Sequence, residues 1–156
     1  MTARPSYLKV LNFISNAEWH AHLEFDAWAR VTRDEAVRRV VRLVAAREGE
    51  HALSFEKRIF DLGFSVMRKD IEGHADKLRL LSDPKISDFQ KLDMLGYGDH
   101  DANAEHDDYE GFFLDHSIDI ESSALLGRYI GEERDTRRRL QACYQELKTQ
   151  PQPVAA

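Results

Sequence analysis

Apolar residues recur along three long stretches of the chain at alternating steps of three and four residues. This spacing keeps every member on one face of an α-helix, so each stretch predicts a helix with a single buried stripe. The first stripe runs from Tyr7 to Trp28, the second from Val37 to Leu62 and the third from Ser122 to Leu147. The four prolines lie at positions 5, 84, 151 and 153, so helix breakers are almost confined to the ends and one central point. We predict an all-α protein.

Local signals place the ends of these helices. Thr32 followed by Glu35 has the pattern of a capping box, which predicts that Thr32 is the N-cap of the second helix. Gly63 follows that helix and suits the left-handed conformation that often ends one. The connection between the first two helices is very short, so we expect them to pack as an antiparallel hairpin. The last helix is predicted over 117–148, and residues 149–156 are predicted to be a disordered tail.

The stretch from 64 to 114 is irregular, because it is interrupted at Asp83-Pro84 and again at Gly96-Tyr97-Gly98. We predict short helices near 70–81, 86–95 and 100–113. Between positions 91 and 128 there is no Lys or Arg, whereas the same interval holds ten acidic residues and three of the seven histidines. Such a block attracts cations, although a solvated loop is the simpler interpretation. Residues 1–148 are predicted to form one domain.

Composition narrows the class of protein. The chain has 156 residues, 42% of them hydrophobic, a net charge of −6 and one cysteine, Cys143. An acidic surface is repelled by phosphates, which argues against a nucleic-acid partner. No apolar run approaches the ~20 residues of a membrane span, and the first residues do not have the pattern of a secretory signal. One cysteine cannot form an intramolecular disulfide, so we expect a reducing, cytoplasmic setting. Without an apolar run of that length, we expect no membrane partner.

Polar residues interrupt all three apolar stripes. Glu18 interrupts the first stripe, Glu48 and His51 the second, and Glu133 the third. Burying ionised carboxylates without partners costs several kcal/mol each, so these side chains need a cation, arginines or water. Glu48 and His51 form a Glu-x-x-His element, which places a carboxylate and an imidazole one helical turn apart on the same face. Such donors suit iron, manganese or zinc, and we predict a metal site here.

A lone inward glutamate on one helix followed by Glu-x-x-His on the next resembles the metal-binding half of the ferritin-like superfamily. The similarity is greatest to rubrerythrin-type and encapsulated-ferritin proteins. Glu48 follows Glu18 by 30 residues and His51 stands three further on, a spacing that is similar to the encapsulated-ferritin pattern. The resemblance covers residues 7–63 and implies a ferritin-like antiparallel helical bundle with an irregular central segment. Glu133 matches the glutamate of a second Glu-x-x-His, but Thr136 stands where its histidine would be.

The resemblance also implies a ligand set. Two irons, or manganese in their place, would be bridged by carboxylates and would react with dioxygen or peroxide. In four-helix members a third helix adds a glutamate, which here is open among Glu105, Glu110 and Glu121, with Glu121 taken as the candidate. The implied ligands are then Glu18, Glu48, His51, Glu133 and Glu121, with Glu48 and Glu133 as bridges and His51 as a terminal ligand.

Two further residues receive roles through the same resemblance. Tyr129 stands one turn before Glu133, where it would donate a hydrogen bond to a ligand or supply an electron. It is the candidate catalytic residue. His22 stands four residues after Glu18 and would support the ligands from outside.

The expected function is oxygen- or peroxide-linked redox chemistry, of the ferroxidase or peroxide-scavenging type, with an electron donor and a homodimer as partners. Two alternatives stay open. A di-iron substrate hydroxylase would need an apolar pocket beside the metal. A metal-free helical protein–protein interaction module would instead neutralise the three glutamates with Arg47, Arg58 or Arg134 and would dock a partner on residues 64–114.

Overall fold

Every regular element that the structure describes is an α-helix. The computed structural model describes residues 4–98 and 110–150. Its helices are α1 (Leu8–Val31), α2 (Glu35–Asp61), α3 (His74–Ser82), α4 (Asp88–Met94), α5 (Glu110–Leu114) and α6 (Ile120–Thr149). The predicted all-α class is confirmed for these ranges. Most of the helix predicted over 100–113, and the tail beyond residue 150, lie outside them. Within the same ranges, no helix combines the length and the apolar character needed to cross a membrane.

The turn between α1 and α2 differs from the predicted capping box. Asp34 is the N-cap of α2, since its carboxylate accepts hydrogen bonds from the backbone N–H groups of Ala36 and Val37. The prediction of Thr32 as N-cap is therefore wrong. Thr32 ends α1 instead, and its hydroxyl donates to Asp88 over 2.5 Å. The hydroxyl is thus used in a tertiary contact that a local pattern does not contain.

Gly63 ends α2 as predicted. Its φ of +86° lies in the left-handed region, which glycine adopts without steric cost. The N–H of Gly63 donates to the carbonyl of Phe60 over 2.8 Å, and the N–H of Phe64 donates to the carbonyl of Ile59 over 3.1 Å. This pair of bonds is a Schellman motif, which satisfies carbonyls that the helix leaves unpaired.

The three long helices form the body of the molecule. α1 and α2 make the most extensive helix pair, and they run antiparallel as predicted. α6 runs antiparallel to α2, because Arg58 Nε donates to Ser122 Oγ near the start of α6 and Arg47 pairs with Asp135 further along it. α1 and α6 are consequently parallel, and one face of each of the three helices is directed at a shared interior.

Two separate apolar clusters fill that interior, one toward each end of the long helices. The first lies near the α1–α2 turn and consists of Phe25, Trp28, Ala29, Val37, Val41, Val44, Ala45, Leu81, Leu92, Leu140, Cys143 and Tyr144. The second lies at the opposite end and consists of Tyr7, Leu8, Leu11, Ile14, Phe55, Ile59, Ile118, Leu126, Tyr129 and Ile130. The polar residues of the three stripes occupy the positions between these clusters, and we call them the polar layer: Glu18, Glu48, His51 and Glu133.

An extended segment after α2 is tied to the outer face of α1. Asn12 donates to the carbonyl of Met67 over 3.2 Å and accepts from its N–H over 2.7 Å. Asn16 donates to the same carbonyl over 2.9 Å and accepts from the N–H of Lys69 over 3.1 Å. His20 Nε2 lies 3.3 Å from the carbonyl of Lys69. Steps of four residues along α1 thus hold this segment, and the helix predicted from residue 70 begins only at His74.

α3 and α4 close the first apolar cluster. The ammonium of Lys91, with 1% of the residue exposed, donates to the carbonyl of Leu81 in the last turn of α3 over 2.8 Å. The indole N–H of Trp28 donates to Asp88 at the start of α4 over 2.6 Å. These bonds attach both short helices to the end of the bundle that contains the α1–α2 turn.

Candidate metal centre

The four members of the polar layer bring their donor atoms together. One ligand atom from each of Glu18, Glu48, His51 and Glu133 lies within 4.8 Å of the others. Donors bound at about 2.0–2.2 Å to one transition-metal ion are roughly 3–4 Å apart, so small side-chain movements suffice to close this set on an ion. α1 supplies one donor, α2 two and α6 one. The structure thus groups four of the five predicted ligands.

Both ring nitrogens of His51 face carboxylates. Nδ1 lies 3.2 Å from Oε2 of Glu18 and 3.8 Å from Oε1 of Glu133, so this nitrogen is directed into the polar layer. Nε2 lies 2.5 Å from Oε2 of Glu132, on the side of the ring away from the layer. Only 3% of His51 is exposed. The ring is therefore held between two sets of acidic groups.

Tyr129 lies against the same group of side chains. Its hydroxyl donates to Oε1 of Glu18 over 3.1 Å. The edge of its ring meets His51 at a centroid distance of 5.1 Å and Phe55 at 5.3 Å. The residue proposed as catalytic from the sequence thus belongs to the second apolar cluster and reaches a candidate ligand with its hydroxyl.

Burial changes the acidity of the three carboxyl groups. Loss of hydration raises the pKa of Glu48 to about 10, helped by the hydrogen bond and the charge of Glu18. Loss of hydration also raises the pKa of Glu18 and of Glu133 to about 7, and in Glu133 the charge of Glu48 adds to the effect. Oε1 of Glu133 is buried and lacks a hydrogen-bond partner among the described residues. Without a cation, these groups retain their protons at pH values well above the range in which a carboxylic acid ordinarily ionises.

Two of the arginines proposed as neutralising partners make their ion pairs elsewhere. Arg47 pairs with Asp135 over 2.7 Å, and Arg58 pairs with Asp119 over 2.7 Å and with Glu121. Hydrogen bonds from Arg139 and Arg47 lower the pKa of Asp135 to about 2, consistent with ionised partners. These two arginines therefore hold α2 against α6 on either side of the polar layer.

Glu121 is not brought into the ligand set. It lies in the first turn of α6 with 77% of its side chain exposed, in the ion pair with Arg58. Twelve residues of helix separate it from Glu133, which corresponds to about 18 Å along the axis. Of the other two third-helix candidates, Glu105 lies outside the described residues, and position 110 begins α5.

His22 also lies outside the ligand set. Its Nδ1 is 2.7 Å from the carbonyl oxygen of Ala45 on α2. A Cβ added at Gly49 would come within 2.9 Å of the same nitrogen, so the glycine of the Glu-x-x-His element gives this ring its place. His22 therefore joins α1 to α2 beside the site.

The sequence did not point to two residues next to the site. Glu132 contacts His51. It lies one position off the apolar stripe of α6, where a charged residue is expected to face solvent. Tyr97 follows α4, where burial and then the charges of Glu133 and Glu48 raise the pKa of its phenol to about 12. It is brought there by a turn in which Gly96 has a φ of +86°. A Gly-Tyr-Gly sequence indicates only a break, so the position of Tyr97 near Glu133 and Glu48 follows from the fold and not from the local sequence.

Comparison of the chain with protein-family models, with curated proteins and with solved structures finds no match in any of the three. The class is therefore defined by the fold and the site themselves. In the described residues, this is an all-α protein with a buried cluster of three glutamates and a histidine that is suited to a metal ion.

Proposed function

We propose that this chain is a metal-dependent redox protein of the ferritin-like kind, in which the polar layer binds iron and serves oxygen- or peroxide-linked chemistry. The observation that carries the proposal is the convergence of four donors from three helices within 4.8 Å of one another. A set so far buried has a large desolvation cost, which a divalent cation offsets by its charge.

The donor types favour iron or manganese. Three carboxylates and one imidazole are the ligands that these ions accept, and the total ligand charge of −3 stabilises a ferric ion over a ferrous one. Bound iron would supply the electrons that reduce dioxygen or peroxide. The thiol of Cys143 belongs to the first apolar cluster, so the donor set contains no sulfur ligand.

The chain contributes orientation and exclusion of water. Tyr129 holds the Glu18 carboxylate through its hydroxyl and leaves the second oxygen of that group directed at His51. The two apolar clusters flank the polar layer along the helix axes and keep bulk water from reaching it from either end of the bundle. Glu133, with 21% of its side chain exposed, is the most accessible of the four ligands, and we assign the approach of an oxidant to its side.

The number of ions follows from the number of donors. Four protein donors suffice for one ion and leave coordination positions open for an oxidant. A dinuclear centre of the kind the resemblance implies requires more donors, because Thr136 replaces the second histidine and Glu121 lies far from the layer. A second copy of the chain in a homodimer is the source we propose for them.

Elemental analysis after anaerobic reconstitution with ferrous iron tests the proposal. We expect about one or two irons per chain, and oxidation of that iron when oxygen or peroxide is admitted. The double variant Glu48→Ala/His51→Ala should retain no stoichiometric iron. Glu146→Gln, an exposed change on α6, is the matched control and should bind iron like the parent protein. Equal iron in the double variant, or none in the parent protein, would overturn the proposal.

A further inference from the structure

Glu132 lies behind His51 in a chain of charged contacts that passes between α2 and α6. Its Oε2 is 2.5 Å from Nε2 of His51, and its Oε1 accepts from Nε of Arg128 over 3.2 Å. Arg128 in turn pairs with Glu50, which neighbours His51 on α2. Glu132 is therefore fixed at both oxygens, and the contact with His51 is not a loose surface approach.

This contact determines which nitrogen of His51 carries the proton. An ionised carboxylate only accepts hydrogen bonds, so Nε2 must donate to Glu132. Nε of Arg128 donates to the other oxygen of Glu132 over 3.2 Å, and a hydrogen bond from a guanidinium favours the ionised form of this carboxyl group. A neutral imidazole has one N–H group, so its lone pair then lies at Nδ1, the nitrogen that faces Glu18 and Glu133.

Glu132 and Glu133 are consecutive in the sequence but act on opposite sides of one ring. Glu133 approaches Nδ1 from within the polar layer, at 3.8 Å, and Glu132 approaches Nε2 from outside, at 2.5 Å. One turn of α6 thus places a carboxylate on each side of the His51 ring.

We propose that Glu132 is a positioning residue of the metal centre, which holds His51 in the tautomer that presents Nδ1 to the ion. The assignment rests on the proposed function, since it concerns the ion that the polar layer would bind. Carboxylates that accept the second N–H of a ligating histidine fix the ring and increase its basicity. Their loss typically lowers metal affinity by about 10–100-fold, and we expect that range for Glu132→Ala.

The tautomer can be observed without metal. In protein with ¹⁵N-labelled histidine, the wild-type His51 should show a protonated Nε2 and an unprotonated Nδ1, with the signals assigned from the loss in His51→Asn. Glu132→Ala should give a mixture of the two tautomers. Glu132→Gln retains an oxygen that accepts from Nε2 and should preserve most of the wild-type tautomer, with a smaller loss of affinity than the alanine variant.

Affinity for ferrous iron is then measured anaerobically by competition with a chelator, in the same proteins. Glu146→Gln is the matched control, because this glutamate lies exposed on α6 and should leave both readouts unchanged. A wild-type tautomer and wild-type affinity in Glu132→Ala would overturn the role of Glu132 while leaving the proposed function intact. Absence of binding in the wild-type protein would overturn both, even if the tautomer is the expected one.

Discussion

The hydroxyl of Tyr129 on α6 donates to Oε1 of Glu18 on α1 across the interior of the bundle, over 3.1 Å. Both residues are buried, with 5% of each exposed. The bond connects two parallel helices at the edge of the polar layer and gives a buried carboxyl group one of the donors it needs. If this hydrogen bond is removed, the buried carboxyl group of Glu18 loses a donor that water does not replace.

Tyr129→Phe should therefore lower the free energy of unfolding of the metal-free protein by about 1–3 kcal/mol, the cost of an unsatisfied buried group. Urea denaturation measures this. Tyr144→Phe is a suitable comparison, because that hydroxyl reaches Asp93, an exposed residue, over 3.3 Å. We expect a smaller loss there, and equal losses in the two variants would contradict the account of Tyr129.

Glu48→Gln should separate stability from metal binding. Because the pKa of Glu48 is raised to about 10, this group is protonated at neutral pH without a cation, and an amide of the same shape replaces it at little cost. The free energy of unfolding of the metal-free protein should remain the same or rise. Glu48 would bind the ion directly. Its replacement should therefore lower iron affinity by more than the roughly 10–100-fold expected when a residue that only positions a ligand is lost. Strong destabilisation of the metal-free variant would show that Glu48 is ionised there.

The metal-free protein should lose stability as the pH rises from about 5 to about 8. The pKa values of Glu18 and Glu133 rise from the ordinary 4.5 of a glutamate to about 7 in the fold, and that of Glu48 rises to about 10, so the folded state binds more protons than the unfolded state across this range. Their contribution is complete below the unfolded pKa and is lost as the pH rises through the folded one. We expect a fall of at least about 1 kcal/mol, the equivalent of a pKa difference of one.

With metal bound, the dependence of stability on pH over this range should be reversed. A cation binds the ionised carboxylates and releases their protons, so iron affinity should increase with pH. Denaturation at several pH values, with and without the metal, measures both trends. In Glu18→Gln/Glu133→Gln the metal-free slope should become smaller, and the remaining slope belongs to Glu48, whose pKa is raised to about 10. An unchanged slope in that variant would show that Glu18 and Glu133 do not contribute to the pH dependence.

Asn16→Ala should release the segment that follows α2. The Asn16 side chain accepts from the N–H of Lys69 and donates to the carbonyl of Met67, and Asn16 itself is 3% exposed. We expect a loss of about 1–3 kcal/mol and faster hydrogen exchange at the Lys69 amide. Asn12→Ala, at a more exposed position, should cost less. Unchanged exchange at Lys69 in Asn16→Ala would contradict the role of this side chain.

The apolar stripes predicted the three long helices and their buried faces. They could do so because the residues that recur at helical spacing are the same residues that pack against the neighbouring helices. Val41, Phe55 and Leu140 are all fully buried at the predicted positions. The same argument identified Glu18, Glu48 and His51 as inward residues, since a polar side chain within an apolar stripe must share the burial of its neighbours. This part of the candidate site follows from local sequence alone.

The remainder depends on contacts between distant parts of the chain. Glu132 lies off the stripe, and only the orientation of His51 toward α6 gives it a partner. Glu121 is adjacent to the stripe, but its position in the first turn of α6 leaves it at the end of the bundle with Arg58. Thr32 has the chemistry of an N-cap, yet Asp34 performs that role and leaves the Thr32 hydroxyl to Asp88. In each case the sequence specified the chemistry of the residue but not its partner.

The division of the interior into two apolar clusters has a consequence for cooperativity. Each cluster can open without disrupting the apolar contacts of the other, so the metal-free molecule should show two groups of slowly exchanging amides with different opening free energies. An ion held between them would couple α1, α2 and α6 at mid-length, and opening at either end would then have to break its coordination. With the ion bound, the two ends should unfold as a single unit.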